Sequence, residues 1–187
     1  VSAAGETQVV AGRSCGTCTL CCKVLAIEEL NKPHGVWCPH AKPGRGCAIY
    51  SDRPGACREF ICGYLVSEGL SPEWFPATSK IVLMYVDNGI TAVVDTGRPD
   101  AWKAEPFYKQ LKAWAVAFLQ HNRQVLVRVG NRTIAILPDH DADLGPMEPG
   151  GRVIIETAAG PMGTTRYRAR RADGAPTDQR ADGAPNQ

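Results

Sequence analysis

The sequence predicts an α+β protein: a small cysteine-rich metal-binding lobe packed on a layer of five strands and one long helix, ending in a disordered C-terminal tail. Three observations predict it. All eight cysteines fall between Cys15 and Cys62, apolar residues alternate in strand-length runs from residue 81 onward, and the chain from residue 161 is rich in Gly, Ala and Pro. The corresponding boundaries are 13–66 for the lobe, 67–160 for the layer and 161–187 for the tail. Without the tail the chain is of single-domain size.

The lobe begins with Cys15-Gly16-Thr17-Cys18-Thr19-Leu20-Cys21-Cys22, a CxxCxxCC run, and continues with Cys38, Cys47, Cys57 and Cys62. Each CxxC step lets two thiolates reach one ion from a tight turn or a first helical turn. Cys21 and Cys22 point about 100° apart on a helix, or to opposite faces of a strand, so they either feed neighbouring centres or leave one thiol packed as a small hydrophobe. Residues 1–14 have neither the basic nor the apolar region of a secretory signal, and no run is apolar enough to span a membrane. A cytoplasmic location with reduced thiols is therefore expected. In a secreted chain the same eight cysteines would instead form disulfides, in pairings that spacing does not reveal.

An all-thiolate set selects zinc, iron in an iron-sulfur cluster, or Cu(I), and excludes magnesium and calcium. Two four-thiolate zinc sites would use all eight cysteines, which puts zinc ahead of iron. The CxxCxxC triplet and the Cys38-Pro39 pair are the features that keep an iron-sulfur cluster in view. His34 and His40 are candidates to replace a thiolate, although exposed loop histidines are commoner.

In the second half of the lobe Pro54 opens a helix expected over residues 54–66, with Ser51 or Asp52 as its cap. Cys57 and Cys62 lie roughly 140° apart around such a helix, so they can serve one centre only if it ends or bends between them. Arg53 and Arg58 are candidates to offset thiolate charge and to donate hydrogen bonds to sulfur. Tyr50 and Phe60 are expected to pack beside the metal.

The stretch Gly46-Cys47-Ala48-Ile49-Tyr50-Ser51-Asp52-Arg53-Pro54-Gly55-Ala56-Cys57-Arg58-Glu59-Phe60-Ile61-Cys62, read with the upstream CxxCxxCC run, resembles the YkgJ family of cysteine-cluster proteins, described as zinc- or iron-chelating domains. The resemblance covers residues 13–65. It implies that Cys15, Cys18, Cys21, Cys22, Cys38, Cys47, Cys57 and Cys62 are the metal-binding cysteines, without fixing the metal or a reaction.

The layer follows a joint in which Trp74, Phe75 and Pro76 are expected to pack the two parts together. Residues 81–86 and 90–94 flank Asn88-Gly89, a strong hairpin signal. Residues 105–121 place Phe107, Leu111, Trp114, Ala115, Phe118 and Leu119 at helical spacing. Residues 125–129 and 133–137 form a second hairpin, and residues 153–155 supply the fifth strand. Asp139-His140-Asp141-Ala142-Asp143-Leu144-Gly145 starts like a calcium loop, but Gly150 stands where the bidentate glutamate belongs, so a solvated turn is expected.

The tail holds five arginines and three aspartates, which accounts for the formal charge of +2. With no basic stripe on the body, nucleic acid is not an expected partner. No phosphate-binding glycine loop or nucleophile elbow occurs. These features favour a metal-binding protein with a structural or carrier role over catalysis. An iron-sulfur enzyme or electron carrier, and a zinc-stabilised module that binds an unidentified protein partner, are the alternatives.

Overall fold

The computed structural model describes residues 8–148 and 150–174. Its centre is a five-stranded sheet of β3 (Ile81–Val86), β4 (Gly89–Val94), β5 (Gln124–Val129), β6 (Arg132–Ile136) and β7 (Asp141–Pro146), hydrogen-bonded in chain order. β4 and β5 are parallel and the other neighbours antiparallel. A parallel neighbour needs a crossover, and α5 (Phe107–Leu119) supplies it. The amphipathic stripe of α5 buries Phe107, Leu111 and Ala115 against Leu83, Ile90, Val125 and Ile136. Gly89 opens β4 beside Gln124, where a β-carbon would stand 1.9 Å from the Gln124 carbonyl oxygen. Only glycine fits that approach at φ +143°.

Strand alternation gives the sheet two unlike faces. Ile81, Leu83, Ile90, Ala92 and Val94 face α5. Val82 and Val93 face the cysteine lobe, through Leu20 and Val24 of α1 (Leu20–Val24). Leu20 and Val24 are one helical turn apart, so both meet the sheet while Cys21 and Cys22 turn elsewhere. Burying each of these side chains contributes about 1.5–3 kcal/mol. An ion pair fixes the same contact, with Lys23 Nζ 2.6 Å from Asp95 Oδ1.

The lobe contains a two-stranded ribbon of β1 (Ala41–Lys42) and β2 (Gly46–Cys47), and two short helices, α2 (Gly55–Glu59) and α3 (Gly63–Val66). The single helix expected over 54–66 is thus divided. Phe60 and Cys62 are extended, which lets Cys57 and Cys62 leave a common helical course. Neither Ser51 nor Asp52 caps α2; Ser51 Oγ donates to Asp52 instead. Gly63 is buried under the sheet, because a β-carbon there would lie 2.8 Å from Leu83 Cβ. Arg13 locks α3 by donating to the carbonyls of Tyr64, Ser67 and Leu70, with its guanidinium 4.4 Å from the Tyr64 ring centre.

The joint packs as its aromatics predict. Trp74 meets Phe107 edge-on at 4.9 Å and lies 5.5 Å from Trp114, while Phe75 contacts Tyr64 of α3 at 5.6 Å. Just beyond it, α4 (Pro76–Ser79) leads into β3.

Three expectations require correction. The fifth strand of the sheet is β7, formed by the acidic segment expected to be a solvated turn. Its aspartates find partners outside the strand: Asp141 an ion pair with Lys112 at 2.8 Å and a hydrogen bond from the Tyr108 hydroxyl at 3.0 Å, Asp143 the guanidinium of Arg132. Residues 153–155 belong instead to β8 (Val153–Ala159), which pairs with β9 (Thr165–Arg171) in a separate two-stranded ribbon. The tail expected to be disordered from residue 161 is therefore ordered through β9, where Ala169 and Tyr167 pack with Val153 and Ile155 against Leu126, Ala135, Leu137 and Leu144. The remaining expectation, for 175–187, lies outside the described residues. Arg170 pairs with Glu156, and Arg171 with Asp173.

Candidate metal centre

The Cys15–Cys18 step forms the tight turn its spacing predicts, with the Cys18 amide donating to the Cys15 carbonyl at 2.8 Å. α1 follows directly and carries Cys21 and Cys22. The Cys38 amide donates to the Cys22 carbonyl at 3.0 Å, and the Ala41 amide to the Cys38 carbonyl at 3.0 Å, which joins Cys38 and the β1–β2 ribbon to α1. α2 closes the opposite side with Cys57. All eight cysteines are free thiols.

These segments enclose one cavity of about 110 Å³ whose wall includes Cys15, Cys18, Cys21, Cys22, Cys38, Cys47 and Cys57. Cys62 does not line it. Cys62 packs with Cys18 and Cys21 beside Val82 and Met84, on the sheet side. Of the two histidines weighed as ligands, His40 lines the thiol cavity, whereas His34 holds the Val24 carbonyl at 3.2 Å and lies outside it. Arg53 lines the cavity with its guanidinium 4.2 Å from the Tyr50 ring centre. Arg58 is exposed and lines no part of it. Phe60 packs as expected, but Tyr50 is 58 % exposed, a rim residue rather than core. Its ring serves as the platform for Arg53.

Lys32 is the residue that sequence reasoning missed. Only 4 % exposed, it donates from Nζ to the Lys23 carbonyl at 2.9 Å and to the Leu25 carbonyl, at the C-terminal end of α1. Two backbone bonds between Ile27 and Lys32 hold it in place. Burial pushes its pKa down, and the thiols of Cys22, Cys38, Cys21 and Cys57 push it back up. A lysine in a polar loop gives no sequence signal of burial. Here the signal is positional: a cation near the end of a helix offsets its dipole.

Burial likewise helps to raise five of the thiols. It is the leading cause at Cys15, Cys18 and Cys57, and it takes Cys62 up to about 11. Cys21 is pushed up first by its hydrogen bond to Cys22 and then by burial. Cys22 goes the other way, to about 7, because Cys21 donates to it and Lys32 and Arg53 add positive potential against the cost of burial. Among Cys15, Cys18, Cys21, Cys22 and Cys57, the geometry thus eases ionisation at Cys22 alone, with two cations beside it.

Among the described residues, no three Cys, His, Asp or Glu side chains already stand in a geometry that holds an ion. The thiols line the cavity without converging in it. Cysteine has a single side-chain torsion between staggered wells, so sulfur can be redirected without moving the backbone. The donor set itself, seven thiols and one imidazole with Lys32 and Arg53 alongside, suits a soft or borderline cation. Such a cation binds thiolates, so its uptake must release protons.

No protein-family model, curated protein or solved structure matches the chain. Among the described residues no helix is long and apolar enough to cross a membrane.

Proposed function

We propose that the chain is a metal-binding cysteine-cluster protein of the YkgJ kind, whose lobe chelates zinc or iron in a structural or carrier role. One observation carries this reading: seven cysteines from four separate segments line one cavity. Structural disulfides would draw thiols together in pairs, whereas a shared wall suits a shared centre. Cys15, Cys18, Cys21, Cys22, Cys38, Cys47 and Cys57 are the proposed ligands around the cavity, and Cys62 the proposed ligand from the sheet side. Bound there, the ion would tie the turn, α1, the ribbon and α2 together, so its binding energy would contribute to folding. A reducing compartment such as the cytoplasm suits this state of the thiols.

A second reading has its own support. Two closed zinc sites call for two groups of four thiolates, but the thiols occupy one wall. A single polynuclear centre, including an iron-sulfur cluster in an enzyme or electron carrier, accommodates that arrangement.

Metal analysis and the visible spectrum of protein purified without oxygen test both readings. Colourless protein carrying zinc supports the first, and iron with matching inorganic sulfide supports the second. Protein with neither metal, and unable to take up either when reduced, would refute chelation. Cys22→Ser is expected to lower the metal content, and unchanged stoichiometry would remove Cys22 from the ligand set.

A further inference from the structure

The lobe and the β8–β9 ribbon cover different parts of the same sheet face, and β5 places Arg128 on that face two residues after the buried Leu126. A guanidinium partly withdrawn from water on a sheet surface is well placed to pair with an anion. Arg128 makes one hydrogen bond among the described residues, from Nη2 to the Met147 carbonyl at 3.2 Å. No carboxylate pairs with it there, although Glu148 acts on it through space. Burial accordingly pushes its pKa below the usual arginine value. Arg128 is half-buried, and the donors it does not use on Met147 stay accessible as a planar fork suited to a carboxylate.

Arg128 lines a second cavity of about 270 Å³, whose wall contains no cysteine. Its floor is apolar sheet surface, Met84 and Val93, and its far wall is Ala56 and Phe60. His34 also lines it. Because the Val24 carbonyl can only accept, the His34 bond puts the proton on Nδ1 and leaves Nε2 an acceptor in the neutral ring. Ala56 and Phe60, with Leu25 and Ala26, face the thiol cavity as well. A single layer of side chains separates the two spaces.

We propose that this cavity binds a small carboxylic acid with an apolar body, its carboxylate on Arg128 and its body over Met84, Val93 and Phe60, beside the cysteine cavity. Charge complementarity selects the head, and the apolar floor and wall select the body. The assignment goes beyond metal chelation and does not depend on it, since no thiol contacts the ligand. A bound acid would nevertheless lie next to whatever the thiols hold. This is the arrangement a ligand-responsive or substrate-processing metal lobe requires.

Benzoate and benzamide, which share a shape and differ in charge, form the test. Titration of the intact protein is expected to show benzoate binding at least about tenfold tighter than benzamide, the scale of a charge-assisted hydrogen bond. The Met84 methyl resonance should shift with benzoate, while that of Met162, 99 % exposed, stays fixed. Arg128→Gln should remove the preference and Arg128→Lys keep part of it. Equal binding of the two probes, no binding of benzoate, or an unchanged preference in Arg128→Gln would each overturn the proposal. The comparison of probes on the unaltered protein decides the matter even if Arg128→Gln fails to fold. Repeating it after chelator treatment separates the two readings: a preference that survives metal removal supports the carboxylate site whatever the thiols bind.

Discussion

Lys23 and Asp95 show how much of the lobe's placement rests on single side chains. Burial alone would raise the Asp95 carboxyl, but the bond from Lys23, the Gly97 amide and the charges of Lys23 and Lys80 together bring it below the ordinary aspartate value. A carboxyl depressed in the folded state stabilises the fold above its unfolded pKa of about 3.9 and loses that contribution as pH falls through the folded value. Asp95→Asn, which leaves Lys23 without its partner, should cost about 2–3 kcal/mol at neutral pH. Urea unfolding as a function of pH is expected to show that difference shrinking below about pH 4, and a difference constant down to pH 2 would contradict the assignment. At this scale the sequence was legible where chemistry names its residue. Seven of the eight cysteines, and Arg53, line one cavity. Lys32 and the sheet-side position of Cys62 were not legible, because both follow from which segments the sheet brings together.

Among the elements, α3 depends most tightly on one position. Gly63 lets the helix approach Leu83 and Tyr85, and Gly63→Ala would force a methyl group to 2.8 Å from Leu83 Cβ and 3.2 Å from the Leu83 carbonyl oxygen. Backbone cannot yield there without disturbing β3, so a loss of about 1–3 kcal/mol is expected in chemical denaturation. A melting curve unchanged by the substitution would show that α3 is not held against the sheet. β3 and β4 were legible from the Asn88-Gly89 turn between two apolar runs, and α5, β5 and β6 from their apolar periods. β7 was not. Its two aspartates suppress strand propensity, and the strand exists because Lys112, Tyr108 and Arg132 answer them while Ala142 and Leu144 pack inward. As an edge strand it also benefits from charge, which discourages further pairing. β9 hides a real alternation, Tyr167 and Ala169 between Arg166, Arg168 and Arg170, beneath a basic composition that reads as a tail.

Across the whole molecule, the sheet is the common support of three units: α5 on one face, the thiol-bearing part of the lobe and the β8–β9 ribbon on the other, with α3 and the Trp74–Phe75 joint tying the lobe to the α5 side. A chain ending at residue 160 would keep β8 without its partner and uncover Leu126, Leu137 and Leu144. It is expected to lose at least about 2 kcal/mol and to bind a hydrophobic dye more strongly, while metal content stays as in the full chain. Loss of metal on that truncation would show that the ribbon and lobe are coupled. The placement of the lobe also has a consequence in time. Its thiols are translated before the surfaces that cover them, Val82 and Val93, which follow 20 and 31 residues after Cys62. At the usual pace of synthesis, about 5–20 residues per second, the nascent thiols spend seconds uncovered before their own sheet exists. What they meet in that interval, a soft ion or an oxidant, is decided before the fold can protect them.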